Sequence, residues 1–386
     1  MASLLIKNIG KIISGDIKKP IIDGDAVFVE DGKIKRVGNE SKIGSSADKV
    51  INASGITLTP GLVDSHCHVV VGDWTPRQNQ IGFIESGVHG GVTTVISAGE
   101  VHLPGRPGDV LGTKALAILT AKAFANFHPG GAKVLGGGLI LEKGLTEKDF
   151  KELAGAGVKH VGEIGLGSVK MPEDAAPMVK LAKKYGMTVL MHTGGTSIPG
   201  STTITAEMVI KTAPDVVGHL NGGTTAILPE EVEKIVKGTS LTCELVECGN
   251  HKVSLLVIKL AKEINAFDRI ILGTDNPSGT GVVTLGILKN LTFLSSVGEV
   301  KAEEAIAMAT GNTARVYKLN RGFIKEGFEA DFVLMDAPMG SVGNDALEAI
   351  EAGDIPGVSM VIIDGAIVVS RSRNTPPPNR RAVVEA

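Results

Sequence analysis

Eight apolar, β-rich runs alternate with stretches of helical periodicity in the middle of this 386-residue chain. The runs begin at Gly61, Gly91, Ala132, Gly157, Met187, Asp215, Ser240 and Asp268. Segments such as VLGTKALAILTAKAFANF, after the second run, and PEDAAPMVKLAKKYG, after the fourth, separate them. Strands that alternate with helices form parallel sheets, and eight such units are what a (β/α)8 barrel requires. The sequence therefore predicts an α/β fold with a TIM barrel, and a doubly wound open sheet is the alternative.

The two ends of the chain carry a different pattern, in which short β-rich runs are separated by Gly/Asp turns. SLLIKNI and IIDGDAVFVEDGKIKRVG lie near the start, and RGFIKEGFEADFVLMD and VSMVIIDGAIVV lie near the end. We therefore expect residues 1–58 and 320–386 to form one smaller β-sandwich domain, with the barrel at 59–319. The last stretch, RSRNTPPPNRRAVVEA, is expected to be extended, on the surface or on a neighbouring subunit.

Composition excludes several classes of protein. Apolar residues make up 43% and charged residues 21%, which is typical of globular chains. A net charge of −3 without a basic stripe argues against nucleic acid as a partner. The sequence has no apolar run of the roughly 18–20 residues that span a bilayer, and the N-terminal MASLLIKNIGKII lacks a clear signal-peptide pattern. Three cysteines without a CxxC pair indicate a reducing compartment, so we expect a cytoplasmic protein with no membrane contact.

Possible metal ligands cluster at the ends of the predicted strands. In an extended strand the side chains at i and i+2 share a face, so the HCH motif directs two imidazoles the same way. The side chains at the strand ends are His66, His68, Glu163, His192, His219 and Asp275. Because the C-terminal ends of barrel strands meet at one face, these six are expected to form a metal site. A mixed imidazole and carboxylate set suits Zn, Fe or Mn.

Several motifs resemble those of the amidohydrolase superfamily, and the resemblance covers nearly the whole chain. They are PGLVDSHCH, GVTTV, the strand-four acid, MHT, GHL, GTD, TGNTARVYKL and GFIKEGFEADFVLMD. The resemblance implies a metal-binding TIM barrel with a β-sandwich built from both chain ends. It also implies that His66, His68 and Asp275 hold one metal ion and that His192 and His219 hold a second.

The resemblance departs from a common pattern at strand four. Many binuclear members carry a carbamylated lysine there, whereas this chain has Glu163 in GEIGLG. Similar GEIG segments occur in metal-dependent DNA hydrolases of the superfamily, so Glu163 is predicted to bridge both cations. Lys170 lies seven residues further on, too far along the chain to take the same place.

The implied reaction is hydrolysis of a C–N bond in a cyclic amide, in which a metal-bridging hydroxide attacks and Asp275 shuttles the proton. At whole-chain level the sequence is similar to a lactam hydrolase of anaerobic nicotinate breakdown that uses iron and zinc. That similarity implies two divalent ions, Zn and Fe. Relatives of this architecture are commonly homo-oligomers, and we expect a homotetramer. The similarity also implies a carboxylated small-molecule substrate, 6-oxo-1,4,5,6-tetrahydronicotinate, converted to 2-formylglutarate and ammonia.

Residues that could bind the substrate are less well defined by the sequence. Arg77, Lys170 and His251 are candidates because each follows a predicted strand end, and Arg106 is a further cation in such a loop. All four residues also fit a structural or solvated role. The alternative functions are another cyclic amidase, dihydropyrimidinase-like or dihydroorotase-like, a deaminase of the same superfamily, or a scaffold without activity.

Overall fold

The computed structural model describes residues 3–44, 46–71, 82–196, 202–223, 225–277 and 281–385. Its strands lie in three stretches of the chain. The first stretch holds β1 (Ser3–Lys7), β2 (Lys11–Ile13), β3 (Ile21–Ile22), β4 (Ala26–Glu30), β5 (Lys33–Gly38), β6 (Lys49–Asn52) and β7 (Thr57–Pro60). The second holds β8 (Leu62–Cys67), β9 (Val92–Ser97), β10 (Lys133–Leu135), β11 (His160–Ile164), β12 (Thr188–Met191), β13 (Val216–Val217), β14 (Thr242–Val246) and β15 (Ile270–Gly273). The third holds β16 (Phe332–Asp336), β17 (Gly357–Ile363), β18 (Ala366–Val369) and β19 (Val383–Val384).

The strands β8 to β15 form a closed parallel barrel. They pair in two sheets, β10-β9-β8 and β11-β12-β13-β14-β15. Parallel bridges from Leu139 to Val161 and from Cys67 to Asn276 join these sheets on both sides. Each of the eight predicted runs contains or borders one of these strands, so the predicted barrel is confirmed and the open sheet is excluded.

The helices of the described residues are α1 (Glu40–Ile43), α2 (Phe83–Val88), α3 (Val110–Asn126), α4 (Glu147–Gly155), α5 (Pro172–Lys184), α6 (Ala206–Thr212), α7 (Pro229–Gly238), α8 (His251–Glu263), α9 (Gly286–Ser296), α10 (Ala302–Met308), α11 (Gly311–Val316) and α12 (Ala346–Ala352). Those from α2 to α11 alternate with the barrel strands or follow the last one, whereas α1 packs on β4 and β5 of the sandwich and α12 packs on β16, α9 and α10. Local chemistry sets several of their starts. The side chain of Asn250 accepts a hydrogen bond from the Val253 amide at the start of α8, and α7 begins with Pro229. The apolar face of α7 buries Val232, Ile235 and Val236 against the barrel.

Both chain ends contribute to a two-sheet sandwich beside the barrel. One sheet has the order β19-β6-β1-β4-β5 and the other has the order β18-β17-β16-β7-β2-β3. A separate apolar core, which includes Ile6, Leu58 and Phe332, lies in this domain. The sequence placed the change of domain at residues 58/59, whereas β7 continues in the sandwich sheet to Pro60. The C-terminal tail lies on this domain, where β19 pairs antiparallel with β6.

Lys133 connects the barrel to the sandwich at the N-terminal end of β10. Its ammonium group donates to Glu329 Oε2 at 2.7 Å, to Asp331 at 2.9 Å and to Asp364 Oδ1 at 2.6 Å. These three acids are close enough together to resemble a cation site, but Lys133 already supplies the positive charge. A buried, fully paired ammonium at the end of the barrel away from the strand C-termini indicates a structural role.

Two further findings bear on the predicted environment of the protein. In the described part of the chain, none of the helices combines the length and apolar character that a membrane span requires. Cys67, Cys243 and Cys248 are all free thiols.

Candidate metal centre

The barrel brings all six predicted ligand side chains together at the C-terminal ends of its strands, where they form one cluster, called the ligand group. His66 lies in β8 and His68 just after it, Glu163 lies in β11, and His192, His219 and Asp275 follow β12, β13 and β15. Five of the six are buried, and His192 is half-buried. The strands β8 and β11 are buried at every position, as expected for a parallel sheet covered by helices, and their polar side chains are therefore buried as well.

Glu163 occupies the centre of this group. Its Oε1 atom lies 2.8 Å from His219 Nε2, 3.1 Å from His192 Nδ1 and 3.7 Å from His66 Nε2. Its Oε2 atom lies 3.6 Å from His68 Nε2. One carboxylate therefore stands between a first imidazole pair, His66 and His68, and a second pair, His192 and His219. This is the position that a bridging ligand needs.

Asp275 lies on the side of the first imidazole pair. Its Oδ1 atom is 2.8 Å from His68 Nε2 and 3.7 Å from His66 Nε2. The backbone amide of Asp275 donates to the carbonyl of His66 at 2.9 Å. Asp275 has a positive φ of 60° and His219 a positive φ of 29°. Such backbone strain is uncommon for residues other than glycine and clusters at functional sites.

The charges in the group are mutually stabilised. Burial opposes ionisation of Glu163, but the charge of His66 and hydrogen bonds from His192 and His219 hold its pKa well below the ordinary value. Burial likewise opposes ionisation of Asp275, but the hydrogen bond from His68 and the charges of the nearby imidazoles lower its pKa to about 2. Both carboxylates are therefore anions at neutral pH.

The donor set fits a pair of divalent cations. Ligand atoms of His66, His68 and Glu163 lie within 4.8 Å of one another, and so do those of Glu163, His192 and His219. The Nε2 atom of His66 is buried and has no hydrogen-bond partner among the described residues, although it faces two carboxylates. A buried ring nitrogen in such a place is what a metal ligand requires, and imidazole with carboxylate is a ligand set for Zn or Fe.

Glu244 in β14 supports two of the histidines, and the sequence analysis missed it. It accepts hydrogen bonds from the Ser65 hydroxyl at 2.5 Å, from His66 Nδ1 at 2.7 Å and from the His219 amide at 3.1 Å. A carboxylate on the far nitrogen of a ligating imidazole fixes the tautomer and the ring orientation. The sequence carried a signal, since Glu244 is a single acid within the apolar run LTCELV.

Replacing this support should weaken metal binding without removing a ligand. We expect Glu244→Gln to lower metal affinity about 10- to 100-fold, because the His66 ring loses its anionic partner. Competition with a chromophoric chelator measures the dissociation constants. Glu142→Gln is the matched control, because Glu142 is a buried acid after β10 that pairs with Arg106 instead. Equal affinities in both variants would rule out the supporting role of Glu244.

Asp64 ties β8 to β15 beneath the histidines. It accepts from the amide and hydroxyl of Thr274, at 2.9 and 2.6 Å, and from the His66 amide at 3.2 Å. Burial raises the pKa of Asp64 to about 6, against these hydrogen bonds. This residue precedes HCH in PGLVDSHCH, but the sequence analysis assigned it no role.

His102 is a third residue to which the sequence analysis gave no role. It lies in the loop between β9 and α3, and its ring meets the ring of His68 edge-on, with centroids 4.5 Å apart. Its position soon after a predicted strand end was the only signal for it. The contact places His102 beside the first imidazole pair.

The predicted substrate-binding residues have different surroundings. Arg77 lies outside the described residues. Lys170 is half-buried in the loop between β11 and α5, at the barrel end that carries the ligand group. His251 is the exposed first residue of α8, and its ring contacts Phe293 at 4.7 Å. Arg106 pairs with Glu142 at 2.9 Å.

Glu100, after β9, is a buried acid outside the ligand group, and it predicts a pH dependence of stability. Burial raises its pKa from 4.5 to about 7, against hydrogen bonds from Thr120 and the Val71 amide. Between these pH values the folded state holds a proton that the unfolded chain has released, so the free energy of unfolding falls as the pH rises. Glu100→Gln removes this dependence and should be more stable than the parent at pH 8 by about 3 kcal/mol. Urea unfolding at pH 4 and pH 8 measures the difference, and parallel pH curves for the two proteins would contradict it.

The fold and the ligand group are typical of barrel hydrolases that use divalent metals. The chain belongs to the amidohydrolase family, whose model matches residues 57–368. It is 55% identical over 385 residues to an enamidase from Eubacterium barkeri, covering 100% of both chains. A crystal structure of enamidase matches with a TM-score of 0.97 at 55% identity, again over 100% of both chains. A 5-methylthioadenosine/S-adenosylhomocysteine deaminase from Pyrococcus furiosus is 26% identical, covering 95% of each chain. The membership predicted from the motifs is confirmed.

Proposed function

We propose that this chain is an enamidase, which opens a cyclic enamide at its lactam C–N bond. The substrate that we propose is 6-oxo-1,4,5,6-tetrahydronicotinate, a carboxylated ring of nicotinate breakdown. The observation that carries the proposal is the 55% identity to an enamidase over the full length of both chains. The ligand group at the barrel mouth supports it, because its chemistry suits hydrolysis of an amide.

The chain's own residues suggest how cations would be held. His66, His68 and Asp275 would bind one, His192 and His219 would bind the other, and Glu163 would bridge them. When bound, two divalent cations lower the pKa of a water and polarise a carbonyl oxygen. We propose iron and zinc, because both accept mixed imidazole and carboxylate ligands.

Asp275 is proposed as the residue that moves the proton. Its carboxylate is ionised at neutral pH, so it can accept a proton from the attacking water. The hydroxide oxygen adds to the lactam carbonyl carbon, the C–N bond breaks, and the ring nitrogen receives the proton. The open enamine tautomerises to an imine, and a second water releases ammonia. Two waters are consumed, and the products are 2-formylglutarate and ammonia.

The competing functions are less well supported. A deaminase of this superfamily would usually carry a further acid after strand five, whereas the chain here reads HTGGTS. The deaminase from Pyrococcus furiosus is also far less similar, at 26% identity. A scaffold without activity does not need six metal-binding side chains in one group.

The experiment is a metal analysis combined with an ammonia assay. Protein purified without chelators is analysed for iron and zinc and then given 6-oxo-1,4,5,6-tetrahydronicotinate, dihydrouracil, dihydroorotate and adenosine separately. We expect about two metal ions per chain. Ammonia release should occur with the first compound, with loss of activity on chelation and recovery on adding metal. Turnover of another compound in the panel, without turnover of the enamide, would overturn the proposal.

We also propose a cytoplasmic homotetramer. Three free thiols suit a reducing compartment. Leu111 and Leu119 on α3 are 76% and 50% exposed, which supports burial of this helix face between copies. Light scattering coupled to size exclusion measures the mass, and a monomer at micromolar concentration would contradict the tetramer.

A further inference from the structure

Cys248 lies beside the residue proposed to move the proton. It is half-buried in the loop between β14 and α8. Its Sγ atom is 3.4 Å from Asp275 Oδ2 and 4.0 Å from the Asp275 carbonyl oxygen. Both distances allow a thiol to donate a hydrogen bond to oxygen.

The two oxygens of Asp275 have separate surroundings. Oδ1 faces His68 and His66 at 2.8 and 3.7 Å, whereas Oδ2 faces Cys248. Gly223 is the neighbour on the Oδ2 side, where a Cβ on this glycine would still lie 3.9 Å from the carboxylate oxygen. Among the described residues, Cys248 is the side-chain donor to Oδ2. Without this donor, the carboxylate of Asp275 would be held through Oδ1 alone. Rotation about χ2 of an aspartate meets only a low barrier, so one contact fixes the plane of the carboxylate poorly.

The loop that carries Cys248 is itself held firmly. The Glu247 amide donates to the Gly273 carbonyl at 3.0 Å, and the Asn250 amide donates to the Asn221 carbonyl at 2.9 Å. Gly249 packs so closely on Asn221 that a Cβ there would lie 2.1 Å from its side-chain nitrogen. The thiol is therefore presented by backbone anchored to β15 and to the loop after β13, which is what a positioning group requires.

We propose that Cys248 is a positioning residue, whose thiol donates to Asp275 Oδ2 and fixes the plane of the carboxylate. Oδ1 then keeps one direction toward the imidazole pair, and the proton is taken up and returned along a defined path. A thiol is a weak donor, so it orients the carboxylate with little loss of its basicity. The inference rests on the proton-transfer role proposed for Asp275.

The first test compares single variants. Cys248→Ala should lower kcat about 10-fold and leave KM within about twofold, because orientation is lost while substrate contacts remain. Metal content should match that of the parent protein. Cys248→Ser keeps a donor and should retain at least about a third of kcat. Cys243→Ala is the matched control with unchanged kcat, because Cys243 in β14 is buried away from Asp275, with its Sγ 3.8 Å from the Leu241 carbonyl.

A double-mutant cycle separates positioning from packing. In an Asp275→Asn background, Cys248→Ala should change kcat by less than about twofold, since its effect acts through the carboxylate. Full additivity of the two substitutions would show that Cys248 only packs, and so would a serine variant as slow as the alanine variant. Either result overturns the inference.

An infrared measurement of the S–H stretch needs no substrate. The parent protein should show a down-shifted band that is absent in Cys248→Ala and moves to higher frequency in Asp275→Asn, with the band of Cys243 as the internal reference. The thiol of Cys67 donates to Asp64 Oδ2 at 3.1 Å and gives a second down-shifted band, which is told apart because it remains in Cys248→Ala. If the Cys248 band shows both expected changes but no enamide is hydrolysed, the proposed function fails and the hydrogen bond from Cys248 to Asp275 is supported. If enamide is hydrolysed but the band does not respond to Asp275→Asn, the inference about Cys248 fails.

Discussion

Asp275→Asn should lower kcat about 10³-fold while leaving the fold intact, because it removes the proposed proton acceptor. The amide has nearly the same shape as the carboxylate and keeps an oxygen toward His68, so more than about half of the bound metal should remain. It cannot accept the proton of the attacking water, because it carries no negative charge. Steady-state ammonia release and metal analysis of the same preparation measure both quantities.

Asp215→Asn is the matched control for this substitution. Asp215 precedes β13 at the opposite end of the barrel, where it accepts a hydrogen bond from the Val189 amide at 2.9 Å and pairs with Lys183. Its kcat should stay within about twofold of the parent, since it does not contact the ligand group. Turnover of Asp275→Asn at the rate of the control would remove Asp275 from the proton path.

Glu163→Gln should reduce the metal content from two ions per chain to one or fewer and abolish measurable turnover. The carboxylate stands between the two imidazole pairs, so its charge is shared by both proposed cation positions. An amide offers one neutral oxygen and cannot bridge two cations with comparable strength. Elemental analysis after purification without chelators measures the loss.

The control for Glu163 is Glu100→Gln, a second buried acid that follows a barrel strand but lies outside the ligand group. It should keep both metal ions and most of the turnover. A Glu163→Gln protein with two tightly bound ions would show that Glu163 is not the bridge. The four histidines would then have to hold the two metal ions together with a ligand other than Glu163.

The barrel and the ligand group were readable from the sequence because both depend on short-range patterns. Apolar β-rich runs separated by helical segments mark the units of the barrel, and the end of each run marks the face where its side chains emerge. The HCH motif shows the alternation most directly, since His66 and His68 share a face whatever strands lie beside them.

The partners of these side chains were not readable. Glu244 contacts His66 from a strand 178 positions later, and Cys248 reaches Asp275 from a loop after β14. His102 meets His68 only because the loop after β9 turns over the end of β8. Such contacts depend on how neighbouring loops and strands approach one another, and a periodic pattern carries no information about that distance.

The sequence alone determined the fold class, the end of the barrel at which the polar strand-end side chains meet, and the six side chains that lie together there. Tertiary structure decided that Glu163 stands between the two imidazole pairs, that Asp275 presents different oxygens to His68 and to Cys248, and that Glu244 orients the ring of His66. The physical reason is that strand periodicity specifies which face a side chain takes. Hydrogen bonds and charge interactions instead require groups from distant positions to come within about 3 Å, which only closure of the barrel achieves.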